Sequence, residues 1–269
     1  MTPAWVIRGA GLSYAARGVA TVVGLEMVFR AVASKEETRR IAALKSIAII
    51  HSLIVAPLSL YALITHPDLR AQTLQVLRFE DVSELFDGGG GREWADLLTS
   101  FTVGFFVFEL FHARDWAPST RVDKLTMIVH HVVSAVLWPL SIRLEIAYFF
   151  LVHFELTEVS SPFLQLRWFA KTYGNATLEA VVSLVFALVF FAFRTTVVVP
   201  MFRAIYLTRP WDGALYPRLS LAVRIISLVS LYIPFLLNSL WSWQIVKMGL
   251  RIYNGKKHKK TQQRAAKID

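Results

Sequence analysis

Long apolar stretches separated by short polar connections dominate the chain. A bilayer core about 30 Å thick requires roughly 20 apolar residues for a helix to cross it. Stretches of near-spanning length fall at residues 12–32, 41–64, 97–111, 125–142, 146–166, 178–201 and 219–246. The pattern predicts an all-α fold, a polytopic membrane bundle of about seven transmembrane helices. The first segment could instead lie at the membrane interface, because Arg17 and Glu26 interrupt it.

Composition agrees with a membrane protein and excludes several other classes. Hydrophobic residues make up 55% of the 269 residues and the mean hydropathy is +0.49, whereas soluble domains are about 45–50% apolar. The chain has no cysteine, which excludes disulfides, thiolate metal sites and cysteine-based catalysis. The net charge of +10 is concentrated in the tail and in loops beside the apolar stretches. This charge favours anionic lipid surfaces, and no nucleic-acid partner is expected.

The distribution of charge predicts an orientation in the membrane. The loop from residue 65 to residue 96 is acidic, whereas the tail after the last apolar stretch is basic, with Lys247, Arg251, Lys256, Lys257, Lys259, Lys260, Arg264 and Lys267. The positive-inside rule places this tail in the cytoplasm, or in the matrix of a mitochondrion. With seven crossings, the N-terminus then lies on the opposite face.

Two of the apolar segments carry ionisable side chains. His130 and His131 lie in the fourth segment, and Glu155 and Glu158 lie in the fifth. A charged side chain near the bilayer centre costs about 2.5–3.5 kcal/mol, so such residues usually face the bundle interior or a cavity. On a helix His130 shares a face with Ser134, whereas His131 points about 100° away. Only one of these two imidazoles can therefore point into a given cavity.

Pro162 is expected to disturb the fifth helix near these carboxyl groups. Glu155, Glu158 and Pro162 recur at helical spacing, and His153 lies off this stripe. Proline frees a carbonyl around Glu158, and irregular backbone at membrane depth requires protein or water beside it. These features favour a polar pocket in which an imidazole and a carboxyl group act as acid and base. The alternative is a hydrogen-bonded cluster that only holds two helices together.

A metal site is the competing interpretation of these residues. Glu109 and His112 form one Glu-x-x-His pair, which could join the histidines and glutamates of the fourth and fifth segments in a di-iron set. That architecture requires a second Glu-x-x-His pair, which the sequence does not contain. No metal is therefore expected, and Glu109 and His112 are interpreted as a pair at a helix end.

The remaining polar and aromatic residues of the segments have simpler interpretations. His51 is interpreted as a hydrogen-bonded packing residue, with a role in the site as the alternative. Arg194 is expected to reach the interface, although it could also clamp a phosphate or carboxylate head. Arg167 is interpreted as an interfacial anchor, and Trp241 and Trp243 as members of the aromatic belt.

Five pieces of the sequence resemble the TLC-domain family. They are residues 46–51, the run 102–106 followed by Glu109, the His130-His131 pair, the run 158–163 followed by Arg167 and Trp168, and Phe190-Phe191 with Arg194. Each piece alone is only weakly specific, but the order and spacing of the five together are fairly specific to this family. The resemblance covers about residues 41–243. It implies an N-terminal helix and basic loop at residues 1–40, a TLC-domain membrane bundle at 41–246 and a basic tail at 247–269.

The resemblance also implies lipid chemistry. Ceramide synthases of this family transfer a fatty acyl group from coenzyme A to an amine, using paired histidines and downstream acidic residues. The resemblance implies that His130, His131 and Glu158 are candidate catalytic residues, although two residues that ceramide synthases have downstream are different in this sequence. The candidate substrate-binding residues are His51, Glu109, Ser134, Glu155, Ser160, Arg167 and Arg194. No cofactor is expected, and acyl-coenzyme A is the candidate co-substrate.

Two functions follow from these observations. The first is a protein of lipid homeostasis that binds a lipid or acyl chain in a cavity between the third, fourth, fifth and sixth helices, with acyl transfer as its candidate chemistry. The alternative is a non-catalytic structural or lipid-binding subunit of a larger membrane complex. Membrane lipids and protein partners in such a complex are therefore expected. The endoplasmic reticulum membrane is favoured, and the mitochondrial inner membrane is the alternative because Arg8 and Arg17 precede the first acidic residue.

Overall fold

The computed structural model describes residues 14–33, 36–86, 90–116, 121–217 and 219–265. Across these ranges the chain is helical and forms no strand. In chain order the helices are α1 (Tyr14–Val32), α2 (Glu37–Thr65), α3 (Pro67–Leu77), α4 (Arg92–Phe111), α5 (Arg121–Leu144), α6 (Tyr148–Leu156), α7 (Ser161–Thr172), α8 (Ala176–Phe190), α9 (Thr196–Thr208) and α10 (Leu221–Ala265). Arg8 and Lys267, which entered the sequence interpretation, lie outside the described residues.

Among the described residues, five helical stretches are long and apolar enough to cross a membrane. They are Glu37–Thr65, Arg92–Phe111, Asp123–Arg143, Ala176–Thr208 and Leu221–Leu250. The predicted all-α membrane bundle is confirmed to this extent, and the count of seven crossings stays a prediction. Helix α1 carries Arg17, Glu26 and Arg30 and is not among the five. The fifth predicted segment is divided between α6 and α7, each of which is shorter than a span.

Helix α6 lies at the centre of the bundle. Every residue from Tyr148 to Leu156 is buried, as expected for a helix in which all residues except His153 and Glu155 are apolar or aromatic. It contacts α2, α4 and α9. A 3-10 turn, Thr157–Ser160, follows it, and α7 then begins with Pro162 in its first turn. The predicted disturbance of the backbone around Glu158 is therefore confirmed.

Helix α1 packs closely along α4. Arg17 is buried, forms an ion pair with Asp96 and donates from Nε to Ser100 Oγ at 3.0 Å. Further along the interface, a Cβ atom added at Gly104 would lie 2.7 Å from the carbonyl oxygen of Gly18. Glycine at position 104 therefore permits the two backbones to approach each other closely. The charge of Arg17, which interrupts the first apolar segment, is neutralised by Asp96 of α4.

The last two spans lie at the periphery. Only 11% of the apolar window of Ala176–Thr208 and 12% of that of Leu221–Leu250 is buried, compared with 67% for α4. A π-helical turn, Phe191–Thr195, joins α8 to α9. Such turns often occur at functional sites, and this one carries Arg194. Helix α10 contacts α5 and α9, so it forms an outer wall of the bundle.

Candidate functional site

A small polar space lies inside the bundle, and we call it the polar hollow. The space that the centre of a water molecule can occupy inside it is about 20 Å³. This is room for roughly one or two water molecules. Helices α4, α5, α6 and α10 contribute to it, together with the turns after α6 and α8. It is lined by Thr102, Phe106, His130, Trp138, Phe154, Glu155, Thr157, Glu158, Arg194, Pro234, Leu237, Asn238 and Trp241.

The two adjacent histidines have different environments. His130 lines the hollow, with its ring 5.2 Å from Phe106 and 5.8 Å from Trp241 between centroids. Its Nδ1 atom is buried and has no hydrogen-bond partner among the described residues. His131 is also buried but turns away from the hollow, towards Glu109. The prediction that one imidazole addresses the cavity and the other does not is therefore confirmed.

His131 and Glu109 form a buried hydrogen-bonded pair across the interface of α5 and α4. His131 Nδ1 lies 2.7 Å from the carbonyl oxygen of Met127, and Nε2 lies 2.7 Å from Glu109 Oε2. A carbonyl oxygen can only accept, so the network assigns a proton to Nδ1. The contact between Nε2 and the carboxyl group then requires one more proton, held by either partner. Lys45 on α2 interacts electrostatically with Glu109.

Glu155 is the deepest carboxyl group of the hollow. Its side chain is fully buried, and Oε2 accepts a hydrogen bond from Thr102 Oγ1 at 2.8 Å. Thr102 Oγ1 also lies 3.3 Å from His51 Nε2, and the His51 ring stacks on Phe105 at 4.1 Å. The second oxygen of Glu155, Oε1, is buried without a hydrogen-bond partner in the part of the chain that the structure describes. Glu155 therefore has one acceptor site occupied and one open.

Arg194 and Glu158 form a more fully bonded cluster at the side of the hollow. Arg194 donates from Nε to Ser160 Oγ at 3.1 Å and from Nη1 to Asn238 Oδ1 at 2.8 Å, and its Nη2 lies 3.8 Å from Glu158 Oε1. Glu158 Oε2 accepts from Ser161 Oγ at 2.6 Å. The expectation that Arg194 reaches the membrane interface is wrong, because these partners hold its guanidinium group inside the bundle.

Comparison with known proteins agrees with this architecture. The sequence profile of the TLC domain matches residues 43–247, which is more than half of the chain. The chain belongs to the TLC-domain family. TLC domain-containing protein 4-A of Xenopus laevis is 24% identical over 187 residues, covering 68% of this chain and 70% of that protein. TLC domain-containing protein 4-B of Danio rerio is 22% identical over 218 residues, covering 78% and 74% respectively.

This TLC domain brings together most of the residues that the sequence singled out. His130, Glu155, Glu158 and Arg194 line the hollow. Residues one hydrogen bond away from that lining include His51, through Thr102, and Ser160, through Arg194. His131 and Glu109 form the separate buried pair described above, behind His130. Most of the site residues proposed from the sequence therefore fall into two groups: residues at the polar hollow, and the buried pair of His131 and Glu109 beside it.

Two predicted site residues lie elsewhere in the TLC domain. Ser134 is buried but does not line the hollow. Arg167 donates from Nη2 to Met248 Sδ at 3.1 Å, near the basic end of α10. No contact links Arg167 to the lining of the hollow among the described residues. Its position agrees better with an anchor near the membrane surface than with substrate binding.

The structure also changes two local interpretations. Glu109 and His112 do not pair with each other, because Glu109 bonds His131 and His112 Nε2 lies 2.8 Å from Glu26 Oε2 on α1. Trp241 is not only a belt residue, since its ring lies against His130 and 5.3 Å from the guanidinium carbon of Arg194.

Sequence reasoning missed several residues of the site. Asn238 and Leu237 entered the lining because α10 docks beside α5, which no local pattern reveals. Lys45 had a signal in the sequence, since it is a lysine inside the apolar stretch 41–64. A charged side chain in such a stretch is expected to face other polar groups.

Proposed function

We propose that this TLC-domain protein binds a lipid whose polar head occupies the hollow, and that His130 and Glu155 act on that head as acid–base groups. One observation carries the proposal. His130 Nδ1 and Glu155 Oε1 belong to residues that line the same hollow, and both atoms are buried without hydrogen-bond partners in the described part of the chain. An unpaired buried polar group costs about 1–3 kcal/mol. Two unpaired buried polar atoms in one cavity are typical of a site in which a ligand supplies the missing hydrogen bonds.

The surroundings favour a lipid over a water-soluble ligand. The hollow lies between helices long and apolar enough to cross a membrane, and its outer wall is α10, whose apolar side chains are largely exposed. On α10, Pro234 and Leu237 form the apolar part of that wall. In a bilayer these side chains face acyl chains, so a lipid can place its head among polar groups while its tail stays in hydrocarbon.

Acyl transfer is the chemistry that we propose for this site. His130 would accept the proton of a hydroxyl or amine head while that group attacks the carbonyl carbon of an acyl-coenzyme A thioester. The coenzyme A thiolate would leave, and the proton held by His130 would restore its thiol. A positioned imidazole contributes about 10²–10⁴-fold to such proton transfers. The role in the cell would be control of membrane lipid composition.

The proposal is tested by replacing His130 with leucine. The purified protein is analysed for co-purified lipid by mass spectrometry, and the lipids of cells that express it are compared with those of cells that express the variant. We expect His130→Leu to lose retained lipid by about tenfold or more and to abolish any lipid change caused by expression. Its thermal midpoint, measured by tryptophan fluorescence, should not fall, because Nδ1 loses no protein partner.

His153→Gln is the matched control. His153 is buried in α6, where Nδ1 lies 2.9 Å from the carbonyl oxygen of Phe149 and Nε2 lies 3.3 Å from Thr73 Oγ1, and it does not line the hollow. This variant should retain its lipid even if it is less stable. Equal lipid retention in wild type and His130→Leu would overturn the proposal. Recovery without lipid, in fixed stoichiometry with other chains, would instead favour a structural subunit.

A further inference from the structure

We infer that the hollow selects a lipid with an uncharged hydroxyl head, rather than an anionic or amine head. This inference rests on the proposed function and specifies the ligand of the same site. It follows from the bonding state of each polar group in the lining. The one arginine there is already paired with a carboxylate, whereas the buried atoms without hydrogen-bond partners belong to a carboxyl group and an imidazole.

Arg194 is already paired with groups of the protein. Its Nε and Nη1 groups donate to Ser160 and Asn238, and its Nη2 group faces Glu158 at 3.8 Å. The faces of its guanidinium group are covered as well, since Phe190 and Trp241 lie 5.2 Å and 5.3 Å from its central carbon. Among described residues it is also the one basic side chain in the lining apart from His130. A carboxylate or phosphate head would therefore compete with Glu158 for Arg194.

The open positions suit a group that both donates and accepts. Glu155 Oε1 accepts when the carboxyl group is ionised and can donate when it is protonated. A hydroxyl pairs with either form, whereas an ammonium group can only donate. His130 Nδ1 likewise accepts or donates according to its tautomer. A hydroxyl can therefore pair with either group in each of its protonation states, and with both groups when at least one of them donates.

The size of the hollow supports a small head. Space for roughly one or two water molecules accommodates a hydroxyl group. The hydrocarbon chain must then leave through the wall, where Pro234, Leu237 and Trp241 of α10 line the hollow. Only one helix separates the hollow from the bilayer at this side, and Pro234 lies inside that helix. Proline removes a helical hydrogen bond, which makes local bending of the wall easier.

The inference is tested with three photoreactive C16 probes that differ only in the head: an alcohol, an amine and a carboxylic acid. The full chain is purified in detergent, irradiated with each probe, and the labelled residues are identified by mass spectrometry. Unlabelled hexadecanol, hexadecylamine and palmitate serve as competitors. We expect the alcohol probe to label α10 around Pro234 and Leu237, and hexadecanol to compete at about tenfold lower concentration than palmitate or hexadecylamine.

Variants at Glu155 make the test specific for the head. Glu155→Leu should weaken labelling by the alcohol by about tenfold, and Glu155→Gln should retain part of it because the amide still bonds a hydroxyl. Gln is the variant of choice if Leu prevents folding. Equal or better competition by palmitate or by the amine would overturn the inference but leave a lipid site at the hollow. Labelling by none of the probes near α10 would overturn the proposed function itself.

Discussion

The His131 imidazole and the Glu109 carboxyl group lie 2.7 Å apart, and they join α5 to α4 directly behind the ring of His130. His131 is 1% exposed and Glu109 is 13% exposed. The paired histidines of this TLC domain therefore have different environments. His131 is fixed by a carboxyl group and a backbone carbonyl, whereas His130 keeps a polar atom for the hollow.

The buried pair predicts strong coupling between two substitutions. Either Glu109→Leu or His131→Leu leaves a buried polar group without its partner, so each should lower the free energy of unfolding by about 3–5 kcal/mol. The double variant removes both groups and should be less destabilised than the sum of the single variants, by about 1–3 kcal/mol. Thermal unfolding in detergent, followed by the fluorescence of the eight tryptophans, measures this cycle.

The control for this cycle is Glu145→Gln. Glu145 pairs with Arg92 at an exposed site, with side chains 52% and 59% exposed, and exposed pairs contribute about 0–1 kcal/mol. Its loss should change the midpoint little. Additive effects of Glu109→Leu and His131→Leu would show that the two side chains do not interact in the folded protein.

The close packing of α1 on α4 predicts opposite results at two glycines. A Cβ atom at Gly104 would meet the carbonyl oxygen of Gly18 and the Cβ of Thr21, each at 2.7 Å, so Gly104→Ala must push the helices apart. A Cβ atom at Gly18 would meet only the carbonyl oxygen of Ser100, at 3.7 Å. We expect Gly104→Ala to cost about 1–3 kcal/mol through overpacking, with a lower thermal midpoint.

Gly18→Ala is the matched control for this pair. Alanine is favoured over glycine within a helix by about 1 kcal/mol, so the variant should be as stable as the wild type or slightly more stable. A lowered midpoint in both variants would indicate that glycine is needed in α1 for another reason. An unchanged midpoint in Gly104→Ala would contradict the contact between the helices.

The predicted seven crossings can be counted with single cysteines, because the chain contains none of its own. Seven crossings place Ser13 and Lys259 on opposite sides of the membrane. Cysteines at Glu36 and Lys259 should react with an impermeant maleimide in sealed microsomes, since the positive-inside rule places both on the cytoplasmic face. Cysteines at Ser13 and Glu80 should react only after the membrane is made permeable.

Glu36 and Glu80 are useful reference positions, because their side chains are 61% and 50% exposed. Both positions follow α1 in the chain, so they identify the two faces of the membrane whether or not α1 crosses it. If Ser13 reacts together with Glu36 in sealed microsomes, α1 does not cross and the bundle has an even number of crossings. If Lys259 is protected, the orientation derived from the basic tail is wrong.

The site could be predicted only in part from the sequence, and the limit has a physical cause. Helical spacing separates His130 from His131 and aligns Glu155 with Glu158, because side-chain direction along one helix is fixed by its geometry. The partners of these residues come from other helices. Glu109 was expected to pair with His112, three residues away, but α5 brings His131 to it instead.

The sequence by itself determined that this is a helical membrane protein, where its apolar segments fall, and that proline would disturb the helix around Glu158. These properties depend on composition and on interactions within one helix. Only the tertiary structure decided that Arg194 is held inside by Ser160 and Asn238, and that α10 closes the hollow. The packing of helices against each other fixes such contacts, and residues far apart in the chain meet through it.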